Sequence, residues 1–264
     1  MRAVLGIDAA WTLTEPSGVA LAVEDNGWRL VAVAPSYDDF LRIGGGAIPS
    51  SGRPRGSAPD AEALIAAART MSKSTVAIVA IDMPLSREPI TSRRTSDRAV
   101  NAAYSARWCS THTPSTSRPG KISDQLREDF ETTGYSLRTT SIASPGLIEV
   151  YPHPALVELA MSEKRLTYKH GKARDYWPHL VPADRKGKII ETWRAIIELL
   201  ESKIAGVSAM LPIPSLDAKG WEMKAFEDRL DAVVCAWVAI EVLEGRAVPY
   251  GDEVSAVWIP QIMT

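Results

Sequence analysis

The run Thr75-Val-Ala-Ile-Val-Ala-Ile81 constrains the fold more than any other segment of the chain. Seven residues without a charge, and without alternation of apolar and polar positions, cannot leave one face in water. They read as a strand covered on both sides. Such a strand belongs to an α/β protein with helices packed above and below a sheet. Gly146 to Val150 carries the same signature on a shorter scale.

Upstream, the apolar runs Ala3 to Ile7, Gly18 to Val23 and Trp28 to Ala34 are separated by Glu15-Pro16-Ser17-Gly18 and Glu24-Asp25-Asn26-Gly27. These turn residues predict an antiparallel meander, with Asn26-Gly27 as a tight hairpin. Ser36 to Arg42 reads as a short helix, Ile43 to Ser57 as loop, and Pro59 to Met71 as a helix. A polar insertion at about 85–135 is expected to hold helices near Asp97 to Trp108 and Ser123 to Gly134. Further helices are expected at Ala155 to Met161, Arg185 to Ile204 and Trp221 to Leu243, with a basic, aromatic loop at about 164–184. Val254 to Ile259 supplies a last strand. No repeat or boundary divides residues 1–264, so the expectation is one domain with a mixed sheet: three antiparallel strands, then parallel ones.

The chain has 264 residues and a formal net charge of −2. That small net value hides 17 basic against 11 acidic residues between Arg87 and Lys188. A basic middle segment is suited to a polyanion, and a solvated surface explains it about as well. The apolar stretch Val233 to Leu243 is too short to span a bilayer, so no membrane partner is expected. The N-terminus shows no signal-peptide pattern, and the two cysteines, Cys109 and Cys235, suit free thiols, so the expected compartment is the cytoplasm. The residues set no oligomeric state.

Three acidic residues stand at the ends of apolar strands: Asp8, Asp82 and Glu149. A carboxylate there is costly to bury unless it is paired or bound to a cation, and open α/β sheets place ligand sites beyond strand ends. Asp228 and Asp231 are three apart on the expected last helix and share a face. They lie beyond its first turn, which weakens a capping role. Two carboxylates about 4 Å apart repel by roughly 4 kcal/mol at an effective dielectric near 20. A hard divalent cation removes that penalty, which points to Mg²⁺ or Mn²⁺ rather than zinc.

Gly6-Ile7-Asp8-Ala9-Ala10-Trp11, Ile81-Asp82-Met83-Pro84-Leu85, Glu149-Val150-Tyr151-Pro152-His153-Pro154 and Asp228-Arg229-Leu230-Asp231-Ala232 resemble the signature blocks of domain-of-unknown-function family 429. They run in order through nearly the whole chain. The resemblance implies an RNase H-like fold and a predicted nuclease. The Asp228 to Asp231 block is also similar to the D-x-x-D helix of RuvC-type resolvases. On that likeness Asp8, Asp82, Asp228 and Asp231 match the metal-binding carboxylates and are expected to converge, with Glu149 as a further catalytic candidate. Two departures stand out. Glu227 takes a place where the family often has His, and Asp82 stands where the resolvases use Glu.

Arg93, Arg98, Arg107, Lys169, Lys172 and Arg174 are candidate phosphate contacts, interleaved in part with Tyr168, Tyr176 and Trp177, as in nucleic-acid grooves. His153 is a candidate for phosphate contact or proton transfer, and a hydrogen-bonded structural histidine is the plainer account of it. The leading expectation is a metal-dependent phosphodiester hydrolase acting on nucleic acid. An actin/sugar-kinase type phosphotransferase and a catalytically inactive nucleic-acid or nucleotide-binding protein are the alternatives.

Overall fold

The computed structural model describes residues 1–48 and 50–261. In chain order its elements begin with β1 (Arg2–Asp8), β2 (Gly18–Glu24), β3 (Trp28–Ala34), α1 (Tyr37–Gly44), α2 (Ala61–Ser72) and β4 (Thr75–Ile81). The insertion holds α3 (Thr95–Tyr104), α4 (Lys121–Thr132) and the short β5 (Ser136–Leu137). There follow β6 (Gly146–Val150), α5 (Pro152–Leu159), α6 (Ala173–Tyr176), α7 (Pro182–Glu201), α8 (Val207–Met210), α9 (Gly220–Leu243), β7 (Ala247–Gly251) and β8 (Ala256–Pro260).

The strands form one sheet in the order β3-β2-β1-β4-β6-β8-β7, with β5 on β6. The meander β1-β2-β3 is antiparallel, and β4 lies parallel to β1 and to β6. This is the mixed, RNase H-like arrangement that the sequence predicted. The hairpin between β2 and β3 turns where expected, with positive φ at Asn26 and Gly27. Strand alternation sends Val4, Ala20, Ile78 and Ala80 to a core closed by α5, α7 and α9. Leu5, Leu21, Val79 and Ile81 go to a second core closed by α1, α2 and α4. A smaller core joins α3 to Val257 and Ile259 of β8.

Several expected boundaries shift for local reasons. Pro152 and Pro182 begin α5 and α7 earlier than expected, because proline's fixed φ suits a first helical turn. Residues 164–184 contain a short turn of helix, α6, where loop was expected. The edge strand β7 escaped the sequence reading, since Pro249 and Gly251 look like breakers; proline is tolerated on a strand that has only one neighbour. Among the described residues, no helix is long and apolar enough to cross a membrane.

One contact places α9. Gly6 and Gly18 lie under this helix, and no side chain separates sheet from helix there. A Cβ at Gly6 would sit 2.2 Å from the Ala232 carbonyl oxygen and 2.4 Å from the Ala236 nitrogen; at Gly18 it would sit 2.1 Å from the Asp228 carbonyl oxygen. Backbone atoms cannot swing aside, so Gly6→Ala and Gly18→Ala are expected to force α9 off the sheet and cost at least ~2 kcal/mol each. Gly187, inside α7 with nothing near its missing Cβ, provides the contrast. Gly187→Ala is expected to raise stability by about 0.5–1 kcal/mol. Chemical denaturation of the three variants checks both signs.

Candidate active site

The direct seating of α9 brings its carboxylates to the ends of β1 and β4. Asp8 is the last residue of β1, and Asp82 follows β4, its N–H donating to the Ile7 carbonyl at 2.8 Å. Among the described residues neither carboxylate has a hydrogen-bond partner, and both stay partly open to one cleft of about 620 Å³. Asp228 and Asp231 are buried on the facing side of α9. Asp8, Asp82 and Asp228 line the cleft together with Trp11, Arg118 and Lys224.

The carboxylates perturb one another. Burial, with Asp228 and Asp231 adding repulsion, holds the Asp8 carboxyl well above its ordinary range. Burial pushes Asp82 up to about 7, with Lys169 opposing and Asp231 and Glu149 contributing. Asp228 is pushed up to about 6 by burial, against the pull of Lys224.

Two lysines supply the counter-charge. Lys224, one turn before Asp228, pairs its ammonium with the Asp228 carboxylate. Lys169 pairs with Asp231 and lies 3.6 Å from Glu227. Burial alone would lower the Lys169 ammonium, but Asp231, Tyr168 and Glu227 hold it well above its usual value. The Tyr168 hydroxyl donates to the other Asp231 oxygen at 2.8 Å, and the His170 N–H donates to Glu227 at 2.6 Å. Trp193 anchors this segment by donating from Nε1 to the Tyr168 carbonyl at 2.8 Å.

The expected convergence of Asp8, Asp82, Asp228 and Asp231 on a single cation therefore takes a different form. The four share one electrostatic cluster, yet among the described residues no three His, Cys, Asp or Glu side chains are set to hold an ion. The lysine ammonium groups stand on Asp228 and Asp231 instead.

Glu149 is engaged elsewhere. Arg94 grips both its oxygens at 2.5 and 2.7 Å, and the Leu85 N–H donates to it at 2.7 Å. The same guanidinium bonds Asp97 and the Leu85 carbonyl. Glu149 and Arg94 thus clamp the start of the insertion onto β6, and neither Glu149 oxygen is free for chemistry. Removing the cation from such a buried network leaves two carboxylates uncompensated, and Arg94→Ala is expected to cost ~3–5 kcal/mol in urea unfolding.

A second compartment, of about 420 Å³, opens beside the cleft and shares Trp11, Asp82, His112 and Lys224 with it. His153, Lys169 and Lys172 line it, as do Tyr151 and Arg165. Burial and the nearby Lys169, Arg165 and His112 hold His153 well below its ordinary pKa, so the ring is neutral. The other basic candidates lie apart. Arg93 and Arg98 border a separate groove with Asp252, Arg107 pairs with Glu158 and the Ser162 carbonyl, and Arg174 is exposed on α6. Lys224 was not among the expected contacts, although it lies four residues before Asp228 on one helix face. Nor were His112, Arg118 and Arg165, which reach the site from loops and carry no periodic signal.

The family model described as "Protein of unknown function (DUF429)" matches residues 6–255. The chain belongs to this family. No curated protein and no solved structure matches it. Three of the four blocks that carried the family resemblance build the carboxylate site: β1 with Asp8, the end of β4 with Asp82, and α9 with Asp228 and Asp231; the fourth, Glu149 to Pro154, lines the second compartment through Tyr151 and His153.

The raised Asp82 carboxyl predicts a pH signature. Between its ordinary 3.8 and about 7 it binds more protons folded than unfolded, so it makes wild-type stability fall as pH rises through that interval. Asp82→Asn mimics the neutral form and does not titrate. In chelator-containing buffer, this variant is expected to melt above the wild type at pH 8, and the difference should vanish by about pH 4. A constant difference across that range would show that Asp82 does not titrate there.

Proposed function

We propose that this protein is a Mg²⁺- or Mn²⁺-dependent phosphodiester hydrolase acting on nucleic acid. The observation that carries the reading is the pair Asp8 and Asp82. Both are carboxylates at strand ends, without partners among the described residues, lining with Asp228 an open cleft that also presents Arg118 and Lys224, while the buried Asp231 adds its charge from behind. The donor set is hard oxygen, which fits a hard cation. Asp8 and Asp82 would hold the cation first, with Asp228 and Asp231 joining as their lysines release them. Such a cation supplies charge neutralisation at phosphorus and a more acidic bound water.

The chain's own groups do the rest. Lys224, whose side chain is about half exposed, is free to turn from Asp228 toward a phosphate oxygen. Arg118 carries a second positive charge to the same cleft. Tyr168 fixes the orientation of Asp231. The likeness of the Asp228 to Asp231 block to the resolvases' D-x-x-D helix supports the same reading, which stays at the level of nucleic acid and selects neither DNA nor RNA.

A second reading has an observation of its own. Because Lys169 and Lys224 already neutralise Asp231 and Asp228, the cluster also suits a binding protein of the same fold without hydrolysis. Incubation with duplex, junction, single-stranded and hybrid substrates separates the two. The hydrolase reading expects cleavage with Mg²⁺ or Mn²⁺, its abolition by EDTA, and a loss of at least about a hundredfold in Asp8→Asn, equivalent to ~3 kcal/mol of transition-state stabilisation. The same variant should melt at or above the wild-type temperature without metal, because it relieves repulsion. No cleavage of any substrate, together with destabilisation by Asp8→Asn, rejects it.

A further inference from the structure

The carboxylate cleft accounts for only one of the two adjoining compartments. The second has the composition of a site for a flat, partly apolar group. Val150, Val257, Met83 and Pro84 supply its apolar lining, and Trp11, Tyr151 and His153 its rings. His153 packs edge-on between Tyr151 and Tyr168, at 5.3 Å from each ring. It is only 7% exposed, and its Nδ1 has no hydrogen-bond partner; the Nε of Arg165 is also buried without one. Buried polar atoms left unpaired are costly, so two of them around one pocket mark a place for a ligand's hydrogen bonds.

The charges around the compartment favour an anion nearby. Of its acidic members, Glu149 and Asp97 are held by Arg94 and Glu227 by Lys169 and the His170 N–H, while Asp82 stands unpaired among the described residues at the boundary with the carboxylate cleft. Arg165 and Lys172 line the same space without a partner among its acidic members. Trp11, Asp82 and Lys224 belong to both compartments, so a ligand spanning them would place one end among rings and the other among the carboxylates.

We propose that the aromatic compartment receives the base of an unstacked nucleotide whose phosphate lies in the carboxylate cleft. This assignment rests on the phosphodiester hydrolase reading and narrows its substrate. A base inside a continuous duplex stays stacked and cannot enter such a pocket, whereas an extruded, looped or single-stranded base can. The shared chemistry is a nucleotide with an exposed base face, carried either on a strand or free.

Fluorescence anisotropy in EDTA, where hydrolysis is silenced, tests this with labelled oligonucleotides. The probes are a duplex with one central unpaired nucleotide, the same duplex with an abasic site there, and a fully paired duplex. The unpaired base is expected to tighten binding at least about tenfold over the abasic probe, as base–aromatic stacking predicts. Trp11→Ala should erase that difference and Trp11→Phe should keep it, with thermal melting confirming that both fold. Competition by millimolar adenosine monophosphate would assign the pocket to a free nucleotide, and its failure to compete would assign it to a strand; either result keeps the base in the compartment. Equal binding of the unpaired-base and abasic probes, or a preference that survives Trp11→Ala, overturns the inference. If cleavage with Mn²⁺ occurs without any base preference, the pocket assignment fails alone. If nothing binds and nothing is cleaved, the hydrolase reading fails with it.

Discussion

The contact between the α9 backbone and the glycines of β1 and β2 is the constraint on which the site depends. A helix normally rests on a sheet through interleaved side chains. Here Gly6 and Gly18 remove that layer, and the Asp228 and Ala232 carbonyls lie against the strands themselves. Asp8 pairs in register with Gly18, so the same two strands that seat the helix also present the first carboxylate. Moving α9 outward by the width of one methyl group would separate Asp228 and Asp231 from Asp8 and disperse the shared field.

That closeness brings like charges together in a poorly solvated place, and the protein answers with two lysines of different character. Lys224 comes from the same helix and keeps a side chain that is 55% exposed, whereas Lys169 arrives from a loop and is 21% exposed. The exposed one can leave Asp228 with little disturbance. The enclosed one is tied to Asp231, Glu227 and the fold of its own segment, so releasing it disturbs the docking of residues 168–170. Replacing the two ammonium groups by a metal would therefore proceed unequally, with Asp228 freed more readily than Asp231.

Much of the frame was legible because it follows from periodicity. The apolar run of β4 reads as a doubly covered strand, and Asn26-Gly27 is a good signal for a tight turn. Asp8, Asp82, Asp228 and Asp231 could be selected because charge at the margin of apolar segments is conspicuous. Glu149 met the same criterion and had another explanation, since nothing in its spacing announces Arg94, 55 residues earlier, as its partner. Lys169 was noticed as a phosphate contact, but its pairing with Asp231 depends on how a loop without periodic pattern folds back. His112, Arg118 and Arg165 were invisible for the same reason: loop residues reach a site through tertiary geometry alone.

The site joins opposite ends of the chain. Asp8 belongs to the first strand, and its partners on α9 lie about 220 residues later. Contacts of such long sequence separation form late, after the loop between them has been closed. During synthesis the first strands emerge long before the helix that covers them, leaving Val4, Ala20 and Ala22 without their lid. The meander must wait, either exposed or guarded, until α9 arrives. A chain interrupted between residues 82 and 228 carries Asp8 and Asp82 but neither aspartate of α9, so an unfinished product never assembles the full carboxylate set.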